Sequence, residues 1–296
     1  EAEAGRNKES TEQEFGTCQE IRSCIMKKLV IGILCSIWLG VLSASAQCAA
    51  KNEAIQPGER LTYELKCNWK FIWINAGEAE MTLKPVTYQG KSCYQTDLLS
   101  VSNRTIDKFF RMRDTLTCIT TDRLEPMYFR KGAEEGSGYT VDEARFSFQD
   151  GRCIVDQSRY RRGRDTIYRK DTLDQCVFDM LSILLQARSF DPTSYKIGDK
   201  ILFPMATGRQ VEEQTLIYRG KKNFKAENDV KYRCLVFSLV EYDKKGKEKE
   251  VITFYVTDDK NHLPVRLDLY LNFGSAKAFL RSIEGNRHPL TSIIED

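Results

Sequence analysis

Two arginines in the segment FFRMRDT, Arg111 and Arg113, form the first candidate ligand-binding group. Guanidinium groups donate paired hydrogen bonds to carboxylate and phosphate oxygens. Alternation along a strand would place both arginines on one face, opposite Met112 and Asp114. If that face borders a cavity, the pair would bind the acidic head of an amphiphile. The alternative is a structural ion pair with a neighbouring strand.

A second candidate is the aromatic stretch WKFIWI. In a strand, Trp69, Phe71 and Trp73 share one face and Ile72 and Ile74 share the other. Concave β-sheets commonly hold apolar ligands, so Trp69 and Trp73 are candidates for the wall of an apolar pocket. The alternative is a strand that is buried on both faces.

A third candidate is the basic segment RYRRGRDTIYRK, which contains Arg161 and Arg164 close to Tyr160 and Tyr168. Arginines interleaved with tyrosines suit an anionic lipid headgroup or an anionic glycan. The alternative is a solvated hairpin around Gly163, whose charges would discourage aggregation through a strand edge.

Catalytic motifs are poorly supported. The segment PVTYQGKS has Pro85 where a phosphate-binding loop needs glycine, and its continuation alternates like a strand. No Gly-x-Ser-x-Gly motif occurs, and the segment DDKNHLPV predicts that His262 is a solvated turn residue. The sequence therefore predicts no catalytic residue, no metal site and no cofactor. A glycosidase with two carboxylates in one cleft stays open, because the sequence cannot place them.

Alternating apolar residues predict about a dozen β-strands. Glycine-containing turns such as Gln89-Gly90 and Asp150-Gly151 separate them. The predicted strands lie in RLTYELKCNW, EAEMTLKPV, KSCYQTDLLSVS, FRMRDTLTCITT, PMYFRKGA, EARFSFQ, RCIVDQS, DTIYRKD, KILFPMAT, VEEQTLIYRG, YRCLVFSLVEY, EVITFYVTD, LPVRLDLYL and AKAFLRSI.

One segment, TLDQCVFDMLSILLQARSF, has helical periodicity instead. Asp174 could cap its start, and Asp191-Pro192 would end it. Its apolar residues recur at three- and four-residue steps: Val177, Met180, Leu181, Leu184 and Leu185.

The predicted fold is mainly β, because so many strands cannot form one flat sheet. We expect an antiparallel meander curled into a barrel or open half-barrel. One amphipathic helix, between two β halves, would cover the concave side. Residues 58–284 would form a single domain, preceded by a linker over 47–57 and followed by a tail over 285–296 that contains His288.

The stretch MKKLVIGILCSIWLGVLSASA over residues 26–46 has the pattern of a signal peptide, with two lysines, an apolar run and a small-residue cleavage site. We therefore expect export to the periplasm or cell envelope, a mature start at Gln47 and no transmembrane segment after cleavage. Residues 1–25 would be a non-native or upstream segment.

The charge of the chain bears on its partners, and the cysteine content bears on its disulfides. The chain has 45 basic and 42 acidic residues, which gives no general basis for binding nucleic acid. Seven cysteines follow Gln47, and none forms a Cys-x-x-Cys pair. We expect mainly buried thiols and one or two disulfides, whose pairing the sequence leaves open.

The order of several landmarks resembles an exported bacterial family, catalogued as domain of unknown function 3108. The landmarks are PGERLTYELK, DKFFRMRDT, EPMYFRK with EEGSGY, FDMLSILLQAR and FYVTDDKNHLPVRLDLYLNFGSAKAFL, and they span roughly residues 57–280. The resemblance implies an exported envelope protein with a mostly β fold and no established activity. The segment Asn68–Asn75 departs from the family by being more aromatic.

The leading hypothesis is a non-catalytic periplasmic protein that binds an apolar or amphiphilic envelope component. Its partner would be a lipid, an amphiphile or an anionic glycan, and not a nucleic acid. Two alternatives remain: a glycan-acting hydrolase, and an interaction module for envelope assembly.

Overall fold

The structure is a computed structural model that describes residues 48–69, 72–226, 229–271 and 274–295. The predicted upstream segment, 1–25, and the predicted signal peptide, 26–46, lie outside the described residues. The side chains of Trp69 and Leu271 lie outside them as well.

The described chain forms fifteen strands and two short α-helices. The strands are β1 Arg60–Trp69, β2 Ile72–Tyr88, β3 Lys91–Ser102, β4 Met112–Thr121, β5 Pro126–Glu135, β6 Gly138–Gln149, β7 Arg152–Arg161, β8 Ile167–Leu173, β9 Lys200–Ala206, β10 Val211–Lys225, β11 Lys231–Tyr242, β12 Glu248–Thr257, β13 Pro264–Leu271, β14 Gly274–Glu284 and β15 Ile293–Ile294. The helices are α1 Arg104–Asp107 and α2 Met180–Ala187, and a 3₁₀ turn spans Pro192–Ser194.

The strands form one antiparallel sheet in the order β8-β7-β6-β5-β4-β3-β2-β1-β14-β13-β12-β11-β10-β9, with β15 added beside β11. Nearly every strand pairs with its neighbour in sequence, because short turns favour hairpins. In the described chain the exceptions are the β1–β14 pair, which joins the two halves of the chain, and the short β11–β15 pair. Strands β8 and β9 end the path and do not pair with each other in the described chain, so the sheet is curled but open. The predicted antiparallel, mainly β architecture is confirmed.

Helix α2 starts later than the sequence indicated. Its N-cap is Asp179, whose side chain accepts hydrogen bonds from the backbone N–H groups of Leu181 and Ser182. The predicted cap, Asp174, is wrong because the residues before Asp179 are held by the sheet. The backbone of Phe178 forms a parallel bridge with Met205 of β9.

One face of α2 packs against the first half of the sheet. Leu181 and Leu185 are buried in a core cluster that includes Leu116 and Cys118 of β4 and Phe129 of β5. The helix therefore lies on the inner, concave face of the curled sheet, as its apolar stripe predicted.

The segments before β1 and after β14 are built into the domain. Ala54 and Ile55 are fully buried in the same core cluster as α2, and Cys48 forms a disulfide with Cys176 just ahead of α2. His288 Nε2 donates a hydrogen bond to the carbonyl of Glu53 at 2.6 Å. The predicted linker and tail thus contact each other and the core. We call residues 48–59 the N-terminal strap.

The open side of the sheet is bridged by polar contacts. In the β9–β10 turn, the carbonyl of Thr207 accepts from Arg159 Nη2 at 2.7 Å, and the N–H of Gly208 donates to Gln157 Oε1 at 3.0 Å. Arg159 also forms an ion pair with Asp142 at 2.5 and 2.7 Å. These contacts bring the β9–β10 turn against β6 and β7 without backbone pairing between β8 and β9.

The two edge strands differ. Phe178 covers part of the free edge of β9, where Pro204 also lacks an N–H donor. Strand β8 has no second strand neighbour in the described chain, and its Ile167 and Tyr168 are 53% and 79% exposed. The sheet therefore has one blunted edge and one open edge.

Candidate functional site

An apolar cavity of about 330 Å³ lies between α2 and the inner face of the second half of the sheet. Its walls come from the helix, from β9 to β13 and from the segment that follows the helix. Leu98 of β3 and Leu116 of β4 complete it on the side of the first half.

The sheet wall of the cavity follows from strand alternation. Every second residue of β11, β12 and β13 points inward, and antiparallel pairing aligns these residues into rows. Phe237 pairs with Phe254, and Phe254 pairs with Leu267. A second row contains Leu239, Ile252 and Leu269. All six line the cavity and all are only partly buried.

The helix wall explains why these rows stay partly exposed. The residues of α2 that line the cavity include Met180, Ile183, Leu184 and Ala187, spaced at three and four positions. Leu181 and Leu185, on the adjacent face of the helix, pack into the first half of the sheet, and Leu181 also lines the cavity. The helix is therefore apolar on two sides. Met180 is 41% exposed, so the cavity reaches the surface beside the start of the helix.

Polar groups lie at the other end of the cavity. Arg188, the C-cap of α2, forms a buried ion pair with Glu59, at 2.5 and 2.8 Å. Its Nε also donates to the carbonyl of Asn261 at 2.9 Å. The guanidinium charge is thus compensated inside the protein, and the pair ties the N-terminal strap to the helix.

His262 lies beside Arg188 and lines the cavity. Its Nδ1 is 2.6 Å from the carbonyl of Arg188. A carbonyl only accepts, so Nδ1 carries the proton, and Nε2 makes no hydrogen bond to the described residues. His262 closes a turn before β13 and is only partly exposed, and the contact with Arg188 holds its ring at the helix end.

Tyr195 completes this end of the cavity. Its ring lies 6.0 Å from that of Tyr218 and 6.3 Å from that of Phe237, centroid to centroid. Burial raises the pKa of Tyr195, and the carboxylates of Asp191 and Asp199 raise it further. The raised pKa keeps the phenol protonated, and its hydroxyl, which makes no hydrogen bond to the described residues, is able to donate.

Besides the paired Arg188, the described lining has two titratable groups, His262 and Tyr195. No carboxylate is among the side chains known to line it in the described chain. Across the described ranges, no three His, Cys, Asp or Glu side chains come together as a metal site. None of the helices described there is both long and apolar enough to cross a membrane. The arrangement fits binding of an apolar group.

Comparison with known proteins agrees with the architecture. The family model described as "Protein of unknown function (DUF3108)" matches residues 62–281. The chain belongs to this family. No curated protein matches it.

Two solved structures resemble this DUF3108 member. One is a β-barrel-like protein of domain of unknown function DUF1849 from Brucella abortus, with 11% identity and a TM-score of 0.50, covering 76% of this chain and 96% of its own. The other is a Bacteroides fragilis protein described as a "putative exported protein with YmcC-like fold", with 8% identity and a TM-score of 0.33, covering 80% of this chain and 100% of its own. The first likeness shows a shared β-barrel-like fold and nothing about activity.

The arginine pair of this DUF3108 member does not border the cavity. Arg113 donates from Nη1 and Nη2 to Asp107 at 3.1 and 2.5 Å, and also to Ser102. Hydrogen bonding to Arg113 is the main reason why the pKa of Asp107 is lowered. Arg111 lies just before β4, is exposed, and has its Nη2 3.8 Å from Glu134. The contacts of Arg113 are those of the structural ion pair considered as the alternative, although its partner lies on α1.

The aromatic stretch is not one strand. Trp69 ends β1 and Ile72 begins β2, and these two residues pair across a hairpin. The interpretation as a strand buried on both faces is therefore wrong: Ile72 is 67% and Trp73 38% exposed. Lys277 Nζ lies 4.1 Å from the centre of the Trp73 ring, and Trp73 does not line the cavity. The side chain of Trp69 lies outside the described residues.

The basic segment forms the β7–β8 hairpin. Arg161 ends β7, Arg164 lies in the turn, and both are exposed, on the far side of the sheet path from β9 to β13. Neither residue lines the cavity. Their assignment as an anion-binding group stays a prediction, separate from the cavity.

Proposed function

We propose that this protein is a non-catalytic binding protein, which holds a small apolar or amphiphilic component of the cell envelope in the cavity beside α2. The observation that carries this proposal is the apolar lining, in which partly buried residues of β10 to β13 face partly buried residues of the helix. Water in such a space lacks hydrogen-bond partners, so an apolar occupant is favoured.

The size of the cavity limits the occupant. At about 330 Å³ it lies at the lower end of the range for small-molecule pockets, roughly 300–1,000 Å³. Each buried CH₂ group of a ligand contributes about 0.8 kcal/mol. A single hydrocarbon chain therefore gains useful affinity there, whereas a large lipid would extend outside.

We also propose that the protein works outside the cytoplasm, in the periplasm or cell envelope. The leader pattern over residues 26–46 supports this proposal. The Cys48–Cys176 disulfide supports it independently, because such bonds persist mainly in oxidising compartments.

The test is fluorescence titration of the full chain with N-phenylnaphthylamine, a neutral probe that brightens in apolar surroundings. We expect saturable binding to the wild type. Ala187→Phe places a ring in the cavity from the helix wall and should abolish the signal.

Lys244→Phe adds the same ring in the exposed turn between β11 and β12, and should bind like the wild type. Melting curves show whether each variant is folded. Equal binding by a folded Ala187→Phe variant and the wild type would disprove the cavity as the site. Native mass spectrometry of protein taken from its own host should reveal the natural occupant.

A further inference from the structure

We infer that the cavity takes a single-chain amphiphile with a neutral, hydrogen-bonding head group, which binds at His262 and Tyr195 while its chain lies along β11 to β13. This inference rests on the proposed function and names the class of ligand.

The cavity is polar at one end only. The described lining residues with nitrogen or oxygen in their side chains are Arg188, Tyr195 and His262. Arg188 caps the C-terminal end of α2, His262 bonds to its carbonyl, and Tyr195 follows shortly after in the chain. The remaining lining side chains are apolar, so a head group has one place to make hydrogen bonds.

Two groups at that end are available to a ligand. The Arg188 guanidinium is occupied by Glu59 and by the carbonyl of Asn261. His262 Nε2 and the Tyr195 hydroxyl have no hydrogen-bond partner among the described residues. In the tautomer that donates from Nδ1, Nε2 is a hydrogen-bond acceptor, and the phenol is a donor. A ligand hydroxyl group both donates and accepts, so it suits either group.

The local charge disfavours an acidic head. Asp191 is close enough to affect both groups electrostatically: its carboxylate raises the pKa of Tyr195, after burial, and His262 contributes to the low pKa of Asp191, after the hydrogen bonds from Thr193. Glu59 compensates the charge of Arg188, so this ion pair does not offset the carboxylate of Asp191. A second carboxylate placed beside Tyr195 would meet the negative charge that already raises the pKa of this phenol.

The end of the cavity beside the start of α2 determines how long a hydrocarbon chain the ligand can have. An eight-residue helix is about 12 Å long, and the cavity reaches the surface beside Met180 at its start. A longer chain can project there into solvent, so affinity should level off with length instead of falling.

The test compares lauryl alcohol with laurate as competitors of N-phenylnaphthylamine at pH 8, below the solubility limit of the alcohol and the critical micelle concentration of laurate. The two have equal chains, so a difference in affinity comes from the head group. The wild type should bind the alcohol several-fold more tightly than laurate. Tyr195→Phe removes the hydroxyl and keeps the ring contacts. His262→Asn removes the imidazole, and asparagine tolerates the positive φ at this position. Each should weaken alcohol binding about two- to tenfold, the effect of one hydrogen bond, with unchanged affinity for the probe.

Tyr270→Phe removes an exposed hydroxyl away from the cavity and serves as the control. Equal affinity of the wild type for alcohol and laurate would overturn the inference, as would unchanged alcohol binding in a folded Tyr195→Phe variant. In both cases the probe still binds and the proposed function survives. A wild type that fails to bind the probe would refute the proposed function, and this inference with it.

Discussion

Asp179 caps α2 from a fully buried position, and Asp179→Asn should make the protein more stable at alkaline pH. Its Oδ1 accepts two backbone hydrogen bonds at 2.9 Å, and Oδ2 has no partner among the described residues. Burial raises the pKa of Asp179 to about 6, although bonds from Ser182 and Leu181 oppose the shift. The ionised carboxylate is therefore destabilised in the folded state.

The difference between the folded and unfolded pKa of Asp179 fixes the sign and size of its effect on the free energy of unfolding. The folded pKa is about 6 and the ordinary value is 3.8, so the folded protein holds this proton more tightly. The resulting stabilisation is complete below pH 3.8 and is lost as the pH rises through 6. The shift corresponds to about 3 kcal/mol. Asparagine keeps the accepting oxygen and carries no charge, so the variant avoids that loss.

The assay is urea unfolding at pH 4 and pH 8, followed by circular dichroism. We expect Asp179→Asn to match the wild type at pH 4 and to exceed its free energy of unfolding by up to about 3 kcal/mol at pH 8. Asp174→Asn changes an exposed aspartate nearby and should have no effect at either pH. A stability difference between Asp179→Asn and the wild type that does not vary with pH would refute the reasoning.

Three further substitutions test the fold. Replacing Cys48 and Cys176 by serine removes a disulfide between residues 128 positions apart. The free energy of unfolding, measured in urea, should fall by up to about 5 kcal/mol because the unfolded chain gains entropy. A stability equal to that of the oxidised wild type would contradict this. Leu181→Asp buries an unpaired charge and should cost several kcal/mol; an unchanged melting temperature would show that this helix face is exposed. Gly208→Ala places a Cβ 2.6 Å from that of Asp142 at a φ of +79°, and should speed hydrogen exchange in the β9–β10 turn; unaltered exchange would mean that the turn does not need this contact.

Most of the fold could be predicted because each strand leaves a local trace. One face of a strand contacts the core and the other contacts solvent, so alternation marks β1 to β14 in the sequence. Positive φ at Gln89 and Gly90, and at Asp150 and Gly151, confirms the turns between them. The start of α2 was misplaced because the bridge between Phe178 and Met205 depends on a distant strand. The two-residue strand β15 is too short to alternate.

The sequence predicted the kind of site, an apolar pocket, but not the residues that line it. Aromatic and basic clusters attracted attention, but the cavity forms where sheet curvature brings β10 to β13 opposite α2. The apolar residues of the cavity have the same sequence pattern as ordinary core residues. Periodicity shows that a face is apolar, but it does not show where two apolar faces leave a space between them. His262 gave no signal beyond its position in a turn, since the carbonyl that orients it belongs to Arg188, 74 residues earlier.

The unequal edges of the sheet restrict how copies of the protein can associate. Strand addition needs a free edge on each molecule, and the described chain offers an uninterrupted one at β8, while Phe178 and Pro204 blunt β9. Two copies that join through β8 are related by a two-fold axis, and their pair has used both open edges. A fibre needs every molecule to pair on two sides. Assembly of this sheet through the β8 edge therefore closes at the dimer.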